Sequence, residues 1–94
     1  MGQLINSVSE FEAVLAQVII RVDKYLYEQH RDPVVQNIRR TLQKILEVSK
    51  ESDKLKAQRD ALSAAGETLR ERVRDDEQLH DHLWDLLDYV EYRA

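Results

Sequence analysis

The chain has 94 residues, 34% of them charged, a net charge of −4 and no cysteine. That length makes one domain, able to bury roughly 60–65% of its unfolded surface. The missing thiols exclude disulfides, thiol nucleophiles and Cys-based zinc sites, and the mildly acidic balance speaks against a general nucleic-acid binder.

Two Gly and one Pro in the whole chain predict long helices with few turns. Ser7 and Ser9 are each followed three residues later by a glutamate, Glu10 and Glu12, the spacing of a capping box. The first helix is therefore expected over about 8–30. Phe11, Leu15, Val18, Val22, Tyr25 and Leu26 recur at intervals of three and four and form its core stripe, widened by Val8, Val14 and Ile19. Nearly opposite lie Ala13, Ala16, Ile20 and Tyr27. A helix on the outside of a bundle needs one apolar stripe, so the second is read as a self-association face. Its alanines are small enough to let another helix approach closely. The alternative is scattered surface apolars, which soluble proteins tolerate.

Asp32-Pro33 is a helix restart, since Asp is a favoured N-cap and Pro at the first helical position has no N–H to leave unpaired. The first turn is expected near Gln29 to Asp32. The second helix then carries Val34, Ile38, Leu42, Ile45, Leu46 and Val48 inward. After Val48 the composition shifts, and Leu55 is the one large apolar residue from Ser49 to Ala61.

Gly66 suits the left-handed position at a helix end, and Thr68-Leu69-Arg70-Glu71 reads as a new capping box. A stop and a start this close predict a hairpin, with helices over about 33–65 and 68–92. A seven-residue spacing through Val34, Thr41, Val48, Leu55, Leu62 and Leu69 would also suit one continuous helix, but Ser52, Arg59, Gly66 and His80 fall in its seam. The last helix places Leu79, Leu83, Leu86, Leu87 and Val90 inward.

Residues 75–94 hold seven acids against Arg93 alone, whereas residues 33–50 hold Arg39, Arg40, Lys44 and Lys50 against Glu47. Reversal near Gly66 would set Lys44 opposite Asp85 to Asp88 and Arg40 opposite Asp88 to Tyr92. Such pairs would select a register more than add stability. The expected fold is all-α: an antiparallel three-helix bundle from which a thin two-helix coiled-coil arm, about 51–75, protrudes on Leu55, Leu62, Leu69 and Val73.

No catalytic constellation emerges. There is no glycine-rich phosphate loop, no nucleophile elbow, and no nucleophile, base and orienter set around His30 and Asp32. Glu77-x-x-His80 has the spacing of di-metal helical bundles, but it occurs once and needs a second motif and further carboxylates. Arg70, Arg72 and Arg74 alternate with Glu67, Glu71, Asp75 and Asp76, the pattern of a solvated helix rather than a phosphate reader. Trp84 falls among Asp81, Asp85 and Asp88, with Tyr92 further round. That is the composition of a partner-binding face, with an aromatic anchor and a charged rim.

The functional reading is a non-enzymatic helical protein–protein interaction module, an adaptor, chaperone or assembly factor, acting as a homodimer and without a cofactor. One alternative is an acidic regulatory protein, such as an antitoxin, an anti-activator or a nucleic-acid mimic, that blocks a basic partner surface. The other is a metal–carboxylate protein using Glu77 and His80. No signal-peptide pattern is evident and the longest apolar run, Val18 to Ile20, is far too short to span a membrane, so the expected setting is cytoplasmic.

Overall fold

The computed structural model describes residues 5–28 and 32–93. The expected first turn, near Gln29 to Asp32, and the helix end at His30 therefore lie largely outside the described residues. Among the described residues five helices follow in order: α1 Val8–Glu28, α2 Pro33–Glu47, α3 Ser52–Ala57, α4 Arg59–Arg72 and α5 Glu77–Tyr92.

Local chemistry accounts for the first two helix starts. The Glu10 N–H donates to Ser7 Oγ at 3.1 Å, so Ser7 caps α1. Asp32 caps α2 by accepting from the Val34 N–H at 3.0 Å, with Pro33 behind it. Both agree with the sequence reading.

The second half of the chain differs from the expected hairpin. α2 ends at Glu47 rather than near residue 65, and Ser49 turns the chain. Ser49 is buried, and its hydroxyl is shared between the Glu12 carboxylate and the Leu46 carbonyl, both at 2.9 Å. Gly66 is not a cap. It lies inside α4, and Thr68 is helical too. The actual reversal falls at Val73 to Asp76, where the Asp76 carboxylate caps α5 by accepting from the Leu79 N–H at 3.0 Å.

No separable arm forms. Leu55, Leu62 and Leu69 are 1%, 2% and 0% exposed, so the segment expected to form an arm supplies a wall of the core. α1 packs on α2 and α5, α4 packs on α2 and α5, and short α3 docks against α4 and α5. The four longer helices thus stand at the corners of a square, with α1 diagonal to α4 and α2 diagonal to α5. The radius of gyration, 12.3 Å, matches the about 12.4 Å of a compact domain this long, leaving no room for a protrusion. The reason is packing. One apolar residue per heptad is too little for a free pair of helices, but it suffices for a fourth helix laid on three others.

The core runs through all five helices, from Phe11, Leu15, Val18 and Val22 to Leu42, Leu62, Leu83 and Leu86. Some inward expectations shift. Val35 is buried where Val34 was expected and Val34 is 40% exposed, Leu46 and Leu87 only flank the core, and Val48 is a half-buried residue just past the end of α2. Tyr89 is buried, with its ring 4.9 Å from that of Phe11.

Gly66 faces α5 from inside α4 with room for a further carbon. A Cβ built there would sit 4.0 Å from Leu83 Cβ and 3.4 Å from the flexible tip of Arg70, which is ordinary contact. Gly66→Ala is therefore expected to stabilise the fold by about 0.5–1 kcal/mol, through higher helix propensity and a less free unfolded chain. A urea titration checks this. A loss of similar size would mean that the α4–α5 contact tolerates no methyl group.

Candidate functional site

α1 buries one face and leaves the opposite one in solvent. Ile20 is 59% and Tyr27 89% exposed, Ala13 is exposed and Ala16 half-buried. The four residues expected to form a second apolar face do share one, and none of them belongs to the core.

α5 repeats the arrangement with different chemistry. Its outward arc carries Glu77, Asp81, Trp84, Asp88 and Tyr92, with Asp85 beside them toward α1. Trp84 is 54% and Tyr92 77% exposed. Trp84 is not surrounded by carboxylates alone. The Arg70 guanidinium, from α4, lies 4.7 Å from its ring centroid, a cation–π contact that holds the indole against the bundle. Sequence spacing within α5 predicts the exposed Trp but not this cation, because Arg70 was expected at the start of the same helix as Trp84, about 21 Å along it.

One carboxylate beside the acidic arc is partly buried. Burial raises the Asp85 carboxyl above the ordinary carboxylate range, and the neighbouring charges of Asp81 and Asp88 add to the rise against the opposing pull of His82. Asp76 and Asp32 go the other way. Burial alone would raise each, but at Asp76 the Leu79 N–H and the Arg21 guanidinium outweigh it, and at Asp32 Arg72 and the Val34 and Val35 N–H groups do so.

The signs follow from linkage. The lowered pair, Asp76 and Asp32, contribute stability that is present above the usual carboxylate pKa of about 4 and lost as pH falls through their folded values. Asp85 contributes stability that is present below that pKa and lost as pH rises through its raised value. Asp85→Asn is therefore expected to raise the melting temperature at pH about 7 and to lose that advantage toward pH about 3. Melting curves across that range check it, and an equal shift at both ends would rule out an electrostatic origin.

The expected pairing of Lys44 with Asp85 to Asp88, and of Arg40 with Asp88 to Tyr92, does not form, because α2 and α5 stand diagonally across the bundle. Ion pairs instead join adjacent corners: Arg39 with Asp23 at 3.0 Å, Arg72 with Asp32 at 2.7 Å, Arg21 with Asp76 at 2.9 Å, and Arg59 Nε with Glu91 at 2.9 Å.

Glu77 and His80 do not converge on a metal position. Glu77 is exposed, the His80 Nε2–H donates to the Val73 carbonyl at 2.6 Å, and no group of three or more metal-ligating side chains occurs among the described residues. A polar cleft of about 550 Å³ opens between α1 and the Val73–Asp76 turn, lined by Arg21, Lys24, Arg72 and Arg74 with Glu28, Asp75 and Asp76. Arg21 and Arg72 are already held by carboxylates, so the lining is a mixed-charge surface. None of the described helices is long and apolar enough to cross a membrane.

No family model matches the sequence, and no curated protein or solved structure matches it either.

Proposed function

We propose that this chain is a non-enzymatic helical interaction module of the cytoplasm that works as a homodimer, with α1 as its self-interface. The observation that carries this reading is Ile20 and Tyr27, 59% and 89% exposed in one row on the most apolar helix while the core is complete without them. Large apolar side chains aligned on one helix face are a feature of surfaces that become covered. Ala13 and Ala16 in the same face allow close approach of a second helix.

The test is the solution mass by sedimentation across a hundredfold range of protein concentration, for the native chain and for Ile20→Asp. The native chain is expected to be a dimer and Ile20→Asp a folded monomer with unchanged helicity. Because Ile20 is exposed, the substitution buries no charge in the isolated chain. A native chain that stays monomeric at the highest concentration sinks the reading.

Trp84 supports a second reading, an acidic regulatory module that covers a basic surface of another protein. Its ring is anchored by Arg70, half in solvent, and flanked on α5 by Asp81 and Asp88. Binding through that face is expected to weaken steeply with salt and to fall with Trp84→Ala. The two readings are compatible, since they use different helices.

A further inference from the structure

Self-association through α1 leaves the orientation of the two copies open, and any choice of orientation rests on that reading. α1 occupies one corner of the bundle, with α2 on one flank and α5 on the other. The flanks are opposite in charge. α2 exposes Arg40 and Lys44, with Lys50 just past its end and Glu47 the one acid among them. α5 carries Glu77, Asp81, Asp85 and Asp88 with no Lys or Arg before Arg93. Because α2 and α5 are diagonal, these two sets of charges do not pair with each other within the chain. Among the described residues Arg40 bonds Asn37, and neither Arg40 nor Lys44 reaches a carboxylate.

We infer that two copies associate through Ala13, Ile20 and Tyr27 of α1 about a twofold axis running along the helices, so that α1 lies parallel to its counterpart and the basic α2 of each copy faces the acidic α5 of the other. The geometry leaves one competitor. A twofold axis across the helices makes the two α1 helices antiparallel and sets α2 against α2 and α5 against α5, like charge against like. Both axes cover the same apolar row, so burial does not choose between them. Charge does. It acts across the grooves beside α1 and is screened by salt, with a screening length of about 10 Å at 0.1 M. The flanks therefore choose orientation more than they supply affinity. The seven-residue spacing of Ala13, Ile20 and Tyr27 fits, since a parallel seam sets each of them level with its own copy.

The chain has no cysteine, so single introduced thiols report the arrangement directly. Ala13→Cys and Tyr27→Cys are made separately in the full chain, and both positions are exposed, so the fold tolerates them. The two positions are about 21 Å apart along the helix. Under mild oxidation each variant alone is expected to form a disulfide-linked dimer, while Ala64→Cys, exposed on α4 at the far corner, stays unlinked. If neither α1 variant links alone but a mixture of the two does, the pair is antiparallel. That outcome overturns the parallel arrangement and leaves the self-interface intact. No link in any combination, or Ala64→Cys linking as fast, overturns it whatever the mass. A monomeric mass removes the self-interface as well. The dimer is also expected to weaken by roughly tenfold from about 50 mM to about 500 mM salt, and a dimer strengthened by salt counts against the facing of α2 and α5.

Discussion

Phe11→Ala is expected to lower the stability of the fold by about 3–5 kcal/mol, at the upper end for a single core truncation. Phe11 is fully buried at the end of the bundle where the start of α1 meets the end of α5. Its ring lies 4.9 Å from that of Tyr89, tilted by 33°, and both belong to the one continuous core. Removing the ring forfeits its transfer from water, leaves a cavity, and strips one face from Tyr89. A domain of this length has a total stability of about 5–14 kcal/mol, so the variant lies near the edge of folding. Chemical unfolding followed by helix content measures the loss directly. A cost under about 1 kcal/mol would mean that α1 and α5 do not meet there.

Leu55→Ala is the second large effect, at about 2–5 kcal/mol, and it separates two architectures. Leu55 is the only buried residue of the six-residue α3, 1% exposed, where α3 packs on α4 and α5. On a free coiled-coil arm the same truncation would loosen the arm and leave the stability of the bundle nearly unchanged. In the folded-back arrangement it removes a core side chain. It also frees a helix too short to persist by itself, since isolated helices under about 12 residues are marginal. Two measurements decide: the unfolding free energy, and the rate of tryptic cleavage near Lys54 and Lys56. A global loss together with faster cleavage is expected. Faster cleavage with unchanged global stability would restore the arm.

The two candidate faces share a physical origin. Each sits on a helix that already buries a full apolar stripe in the core. The large side chains left over, Ile20 and Tyr27 on α1 and Trp84 and Tyr92 on α5, are exposed although the core does not need them. On α1 the row continues from Ile20 to Ala16 and Ala13, with exposed Asp23 and Lys24 beside Tyr27, whereas α5 surrounds its pair with carboxylates. The first composition suits close helix contact, and the second suits a partner bearing positive charge.

Much of this was legible in the residues themselves. Ser7 and Asp32-Pro33 mark the starts of α1 and α2, because capping depends on groups within three residues. The three- and four-residue spacings sort inward from outward residues on α1 and α5, so the exposure of Ile20, Tyr27, Trp84 and Tyr92 follows from helix geometry. Only the tertiary structure decided where the chain from Pro33 to Tyr92 reverses. Local chemistry at Gly66 and Thr68 favours a stop and a restart, yet both lie inside α4, where burial of the neighbouring leucines outweighs that preference. The choice turned on whether folding back at Ser49 and again at Val73 to Asp76 buries Leu55, Leu62 and Leu69. That choice set α2 diagonal to α5, cancelled the expected Lys44–Asp85 pairing, and placed Arg70 over Trp84. Periodicity states which side of a helix is covered. What covers it depends on how several helices together exclude water, and that energy belongs to the whole bundle.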